Sequence, residues 1–375
     1  MVCPTGALYE RDHLPETIDS LNNPNKHVVI SYSPSITVSL AEEFGIKAGK
    51  DINGMLNAAL RKIGFHKVFD ASLGADINAI EVANELLNRI NKGENLPLFT
   101  SCCPAWVKYV EQTHPEMIGN LSKVKSPQQI MGMLVKNYYS ESKSFMPENI
   151  YNVSIMPCIA KKFEAQREEM THKGITDVDA VLTTRELARL IRLYGIDLMN
   201  IESELSDNAL GTRSSSGKLY AASGGVTEAV LRTLYYIINN SDMVNYKITE
   251  LRTINKNRKE FVLKTQDYSI GAAVVSDIIN AEKIINEIKN GRNDLHFVEV
   301  MSCQNGCING GGQPIPSNKE AVKSRIKAIY DVDDKESIKF AHKNPLVNEI
   351  YQNFFNISEN NKNMLYTDFR RREVL

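Results

Sequence analysis

The chain has 375 residues, a formal net charge of −1 and 24% charged residues. This near-neutral balance leaves no electrostatic footprint for nucleic acid. No apolar run approaches a membrane span and no secretory signal opens the sequence, so no membrane association and a cytoplasmic location are expected. The length can bury a large core and suggests two lobes.

In chain order, residues 1–24 carry one cysteine, Cys3, followed by Pro4, the way a ferredoxin cysteine run often ends. One cysteine cannot hold a cluster, so Cys3 is expected to be inert. From 27 a β-then-α pattern repeats. HVVISY (27–32) predicts a strand, followed by a helix to about Gly45 and another near 51–63. KVFD (67–70) predicts a short strand and 75–90 a helix. LPLFTS (96–101) predicts a strand ending at Cys102, with a helix over 106–112 and another from Pro127, a favourable first-turn proline. YNVSIMP (151–157) predicts a strand ending at Cys158. DAVLTT (179–184) predicts another, whose Thr183 and Glu186 form a capping-box pattern. A helix over 224–238, a strand over 268–275 and a helix to about Lys289 follow. Phe297 to Met301 reads as a buried strand, and a last helix lies near 346–355. Beyond 357 the polar tail is expected to be mobile. Alternating strands and helices predict an α/β fold, two lobes with parallel sheets flanked by helices.

Six cysteines are few for a disulfide scaffold of this size. Cys102-Cys103, Cys158 and Cys303 each fall at the carboxyl end of a predicted strand, where ligand crevices lie in open α/β sheets. Cys307 follows four residues after Cys303, and Gly310–Gly312 suit a backbone passing close to something bulky. Cys103, Cys158, Cys303 and Cys307 match the thiolate count of a cubic iron–sulfur cluster. Zinc also takes four thiolates, but usually from Cys-x-x-Cys pairs, and none occurs here. Buried structural thiols are the bland alternative. Adjacent strand-end residues point to opposite sides, so Cys102 and Cys103 do not serve one metal atom, and a spare thiol can carry protons. Lys161, three residues after Cys158, can stabilise anionic ligands if a helix starts there; otherwise it is a solvated lysine. Met156 and Met301 each precede a cysteine by two positions and suit the dry wall of a metal site, or simply a core.

TSCCPAW (100–106), MPCIAKKFEA (156–165) and EVMSCQNGCINGGGQP (299–314) resemble the three signature stretches of the iron-iron hydrogenases. The likeness runs from about 27 to 356, through SPS (33–35), KSPQQ (125–129), TTREL (183–187), SGGVTEA (223–229) and YQNFF (351–355). The resemblance implies reversible reduction of protons to dihydrogen. Its cofactor would be the H-cluster, a 4Fe-4S cubane joined to a two-iron subcluster with carbonyl, cyanide and azadithiolate ligands, in the cleft between the lobes. It implies Cys103, Cys158, Cys303 and Cys307 as cubane ligands, with Cys307 bridging to the two-iron unit. Cys102 would pass protons. Lys161, Pro34 and Ser35 would hold the cyanides, while Gln128, Met156, Met301 and Tyr220 would line the pocket. A ferredoxin or another low-potential carrier would supply electrons, and maturation proteins would insert the two-iron unit.

The resemblance also implies an organisation: 1–24 a remnant of, or linker from, a ferredoxin-like domain; 25–150 and 151–300 the two lobes; 301–356 a cofactor-binding segment; and 357–375 a tail. Three positions depart from the pattern. Ser122, Glu85 and Arg89 match the later stations of the family's proton relay, but Val82 stands where its first glutamate belongs. Ala105 replaces a common glycine and Ser302 a common alanine. Two other readings share the motifs. One is a hydrogen-sensing or regulatory protein, often without the proton cysteine. The other is a hydrogenase-like iron–sulfur assembly protein, expected to lack both Cys102 and Lys161.

Overall fold

The computed structural model describes residues 9–254, 256–315 and 318–373. Cys3 lies outside them. Ten strands occur in chain order: β1 (His27–Tyr32), β2 (Lys67–Asp70), β3 (Leu98–Phe99), β4 (Ile150–Met156), β5 (Thr171–His172), β6 (Ile175–Thr176), β7 (Ala180–Thr183), β8 (Arg258–Lys264), β9 (Ser269–Ser276) and β10 (Leu295–Met301). Two four-stranded sheets carry the fold. One has the order β2-β1-β4-β7 and is parallel throughout. The other has the order β3-β10-β9-β8, with β8 antiparallel at its edge. β5 and β6 form a small hairpin. The near-continuous burial of β1, β4, β7 and β10 is what strands covered by helices on both faces require.

The expected α/β architecture is present, but the division at 150/151 does not follow the sheets. β4 and β7 complete the sheet begun by β1 and β2, while β3, early in the chain, pairs with β10. The chain crosses between the sheets because each parallel neighbour needs a crossover connection.

Helix starts obey local chemistry. Pro104 and Pro127 sit in the first turns of Pro104–Thr113 and Pro127–Leu134. Thr183 and Glu186 close the capping box: the Glu186 amide donates to Thr183 Oγ1 at 3.3 Å and the Thr183 amide to Glu186 Oε2 at 2.7 Å.

Several expectations are corrected. The helix predicted to run to Gly45 breaks into Pro34–Thr37 and a 3-10 turn, Leu40–Phe44. There Thr37 Oγ1 donates to the Pro34 carbonyl at 3.0 Å and Ser39 Oγ to the Ser35 carbonyl at 2.8 Å, hydroxyls competing with the helix ladder. The strand over 96–101 shrinks to β3, since Pro97 has no amide to donate.

The described part of the first segment, 9–24, is more than a linker. Leu14–Leu21 is a helix, and Leu14 is buried in the core beside β1 and β7. The described part of the tail, 357–373, is ordered too. Glu359–Asn363 is helical, Leu365 is fully buried, and the amides of Lys125 and Thr367 donate to the carbonyls of Leu365 and Lys123 at 2.8 Å. Its polar residues hide two apolar anchors, Met364 and Leu365, which composition averages away. The strand β8 and the helix Lys319–Lys335 have no counterpart among the predicted elements.

Candidate metal centre

The carboxyl ends of strands from both sheets open onto one cavity. β1 contributes Ser33 and Pro34, β2 leads to Ala71, β4 to Pro157 and Cys158, and β10 to Met301. Cys102 lies just beyond β3, and Cys307 in the loop beyond β10. Ala75, Pro127, Gln128, Met156, Lys161 and Tyr220 complete the wall. The cavity has a volume of about 60 Å³. Of the residues singled out in the sequence, Cys102, Cys158, Cys307, Lys161, Pro34, Gln128, Met156, Tyr220 and Met301 are therefore brought together.

Cys103 and Cys303 stand outside this wall but beside it. Cys103 caps the helix Pro104–Thr113, and its Sγ lies 3.3 Å from Ser302 Oγ. The thiols sense one another. Burial pushes Cys158 up to about 12, with the charges of Cys103 and Cys303 adding to it. Burial likewise raises Cys303 to about 11, and lifts Cys307 well above the ordinary thiol value with help from all four other thiols. Burial by itself keeps these sulfurs protonated; a cation among them would turn them into thiolates. Among the described residues, no three Cys, His, Asp or Glu gather tightly enough to hold one metal ion. A cubane asks for something different, one thiolate at each of four irons.

The glycine loop is shaped by contact. A Cβ on Gly310 would lie 2.3 Å from the Pro157 carbonyl oxygen, beside Cys158. Gly306 has φ +87°, and a Cβ there would meet the Ser223 amide at 2.5 Å. A side chain at either position would have to displace the backbone it meets.

Lys161 has partners that the sequence reading missed. Its ammonium donates to Glu164 Oε2 at 2.8 Å, to Oε1 at 3.0 Å and to Ser126 Oγ at 2.9 Å. Burial alone would lower its pKa, but Glu164 outweighs burial and holds it above the ordinary lysine value, so it stays charged in the wall. The i, i+3 spacing of Lys161 and Glu164 is the signal that could have found the pair. Gln128 donates through Nε2 to the Lys161 carbonyl and to Glu164, both at 3.2 Å, while its buried Oε1 has no partner. Tyr220 spends its hydroxyl on Asn78 Oδ1 at 2.8 Å, leaving its ring for the cavity.

Ser35 is fully buried, and its Oγ lies 3.1 Å from Ser33 Oγ; Ser33, not Ser35, reaches the wall. Glu299 was read only as a strand residue. It is fully buried, accepts from the amides of Gly224 and Thr227 at 2.7 and 2.8 Å, and fixes the turn that follows Tyr220. A charge inside the apolar run FVEVM was its signal.

Ser122, Glu85 and Arg89 are joined to one another, but not to the cavity. Ser122 Oγ donates to Glu85 Oε2 at 2.6 Å, and Arg89 to Glu85 Oε1 at 2.6 Å. Glu85 and Arg89 line a separate surface cleft. Val82 is apolar and buried. Glu81, its neighbour, is saturated by Tyr351, Tyr366 and Lys362.

Four thiols, a fifth beside them, a buried ammonium and two thioethers suit an iron–sulfur centre with anionic ligands. Comparisons with known proteins agree. Residues 26–311 match the family described as iron only hydrogenase large subunit, C-terminal domain, and 319–372 match the iron hydrogenase small subunit. Iron hydrogenase 1 of Clostridium pasteurianum is 38% identical over 357 residues, covering 94% of this chain and 62% of that protein. The chain thus spans less than two thirds of that relative's length. The cytosolic Fe-S cluster assembly factor narfl of Danio rerio is 31% identical over 361 residues, covering 92% of this chain and 86% of that one. A solved structure of apo FeFe-hydrogenase HydA1 from Chlamydomonas reinhardtii superposes with a TM-score of 0.84 at 30% identity, over 97% of this chain and 100% of that one. Among the described residues, no helix is long and apolar enough to cross a membrane. By fold, by cavity and by likeness, the chain belongs to the iron only hydrogenase family, whose membership implies an iron–sulfur cluster.

Proposed function

We propose that this chain catalyses the reversible reduction of protons to dihydrogen. One observation carries the reading: Cys102 and Lys161 face the same cavity as Cys158 and Cys307. A site built only to hold a cubane needs neither the fifth thiol nor the buried ammonium.

In this reading Cys103, Cys158, Cys303 and Cys307 would hold the cubane of an H-cluster, and Cys307 would also be the residue that links it to the two-iron unit. When bound, that cofactor would relay the delivered electrons and supply the metal at which protons are reduced. The chain's own residues do the rest. Burial pushes the Cys102 thiol far up, so it holds its proton at neutral pH and can hand it into the cavity. Lys161, kept charged by Glu164, offers a fixed cation to anionic ligands. Met156, Met301, Pro34 and Ala71 supply an apolar wall that excludes water. Beyond Cys102 the expected relay through Ser122, Glu85 and Arg89 lacks its inner step at Val82. A ferredoxin-like low-potential carrier would deliver electrons, and maturation proteins would insert the two-iron unit.

The likeness to the narfl assembly factor favours a second reading, an iron–sulfur assembly protein without hydrogen chemistry. Hydrogen evolution from reduced viologen by the matured protein separates the two. The hydrogenase reading expects turnover that the metal-free chain lacks. A fully clustered protein that evolves no hydrogen would support the assembly reading instead.

A further inference from the structure

β10 ends at Met301, and successive side chains at a strand end point to opposite sides. Met301 lines the cavity, while Ser302, one residue on, stands outside it and reaches Cys103. Ser302 Oγ lies 3.3 Å from Cys103 Sγ, and the Ser302 amide donates to the same sulfur at 3.5 Å. Cys103 is the N-cap of Pro104–Thr113, yet its side chain caps nothing in that helix. Its sulfur turns to the end of β10 instead. Both polar groups of one residue therefore converge on one of the four proposed cubane ligands. Ser302 also directly precedes a second of them, Cys303, whose thiol feels the charge of Cys103.

Charge fixes the direction of the hydroxyl bond. A thiol and a hydroxyl can each donate to the other. As an iron ligand, however, the sulfur is a thiolate and has no proton to give. Ser302 Oγ must then be the donor and Cys103 Sγ the acceptor. Among the described residues this hydroxyl has no other partner to compete for its proton. Negative charge on a thiolate ligand grows when its cluster gains an electron. A donor aimed at that sulfur therefore stabilises the reduced form more than the oxidised form, and hydrogen bonds to sulfur are a lever on cluster potential. The amide at 302 is present whatever the side chain. The hydroxyl is this chain's own, one of its departures from the family pattern.

We propose that Ser302 tunes the cubane through Cys103: its hydroxyl donates to Cys103 Sγ and sets a less negative reduction potential than the backbone amide alone would give. The proposal rests on the assignment of Cys103 as a cubane ligand and not on hydrogen chemistry. The step it governs is the gain of one electron from a low-potential donor. No bond to iron forms or breaks in that step, and the hydroxyl proton stays on Ser302. An electron held at a less negative potential drives proton reduction less strongly and is taken from dihydrogen more readily. Ser302 thus acts on the direction of the reaction from outside the cavity where the reaction occurs.

The test uses the full chain carrying its cubane without the two-iron unit, as wild type, Ser302→Ala and Ser302→Thr. Ser302 is half-buried and outside the core, so neither substitution threatens the fold. Iron and sulfide analysis first measures the cubane content of each protein. Each is then titrated with dithionite and redox mediators, and the reduced cubane is quantified by electron paramagnetic resonance. At a fixed potential Ser302→Ala should show a reduced-to-oxidised ratio about tenfold below wild type, a shift of about 59 mV to more negative potential for a one-electron couple. Ser302→Thr keeps the hydroxyl and should stay near the wild-type potential. A wild-type potential in Ser302→Ala overturns the proposal. So does an equal shift in both variants, because a side chain that retains the hydroxyl should not mimic its loss. A wild-type chain that assembles no cubane refutes the ligand assignment and the proposal with it. A full cubane with an unmoved potential refutes Ser302 alone, so the two failures are told apart without any measurement of hydrogen.

Discussion

The helix Ser72–Lys92 passes two very different places. Near its start, Ala75 forms part of the cavity wall together with Cys102 and Lys161. Three turns later Glu85 and Arg89 face a surface cleft and hold Ser122. Between them the helix offers Val82, 3% exposed and packed in the core. Both places carry titratable groups in short hydrogen bonds, yet among the described residues the side-chain bonds of Asn78, which lies between them, run to Tyr220 and the Lys125 carbonyl and do not reach Glu85. Proton transfer needs a donor or acceptor at every step, so matching stations at one end do not make a path. Glu81 does not repair the break. Its carboxylate is spent on Tyr351, Tyr366 and Lys362, a clamp that ties the helix to the C-terminal segment.

The comparison can be broken most severely at the thiols. Cys103→Ala or Cys158→Ala should abolish normal cubane assembly, because each lost thiolate leaves an iron without its ligand. Iron analysis with electron paramagnetic resonance on each variant checks this, and wild-type cluster content in both would refute the assignment. Next comes Cys102→Ala. It should keep the metal centre and lose hydrogen evolution by ~100-fold, the lower end for a positioned proton carrier. Unchanged turnover with a full cofactor would leave Cys102 without its role.

A smaller effect is expected at the clamp. Glu81→Ala strands two hydroxyls and an ammonium and should cost about 2–3 kcal/mol in chemical denaturation. Tyr366→Phe, which removes one of the three donors, should cost less; equal losses would mean that the clamp is not shared. The smallest change sharpens the contrast directly. Val82→Glu places a carboxylate three residues before Glu85, on the same helix face. It should raise viologen-driven hydrogen evolution modestly, at some expense in stability from the buried charge. The gain should vanish when Glu85→Gln is added. If the double variant keeps the gain, the Ser122, Glu85 and Arg89 group is not the outer half of a route.

Much of this was legible in the sequence because strand-end cysteines and sheet topology obey the same rule. Cys102, Cys103, Cys158 and Cys303 were each placed at a strand's carboxyl end, and the fold brings those ends together. The buried strands β1, β4 and β10 announced themselves as apolar-rich runs interrupted only by single polar residues. The misses are equally physical. β8 alternates exposed and buried residues at a sheet edge, so its apolar content is diluted by Arg258, Glu260 and Lys264. The tail hides its anchors among charges that pair with distant residues, such as Arg372 with Glu111 and Glu169. Glu164 and Ser126 acquire their meaning only once Lys161 turns toward them. Long-range partners of that kind leave no periodic trace.

In the proposed reading one cavity would hold a cubane joined to a two-iron unit, with Lys161 and Cys102 serving its ligands. Infrared spectroscopy of the protein, matured with the two-iron unit, tests it most directly. The account predicts carbonyl and cyanide stretching bands, with the cyanide bands shifted in Lys161→Ala if the site still loads, or all bands lost if it does not. A protein that carries its cubane in full yet shows no such bands would contradict it.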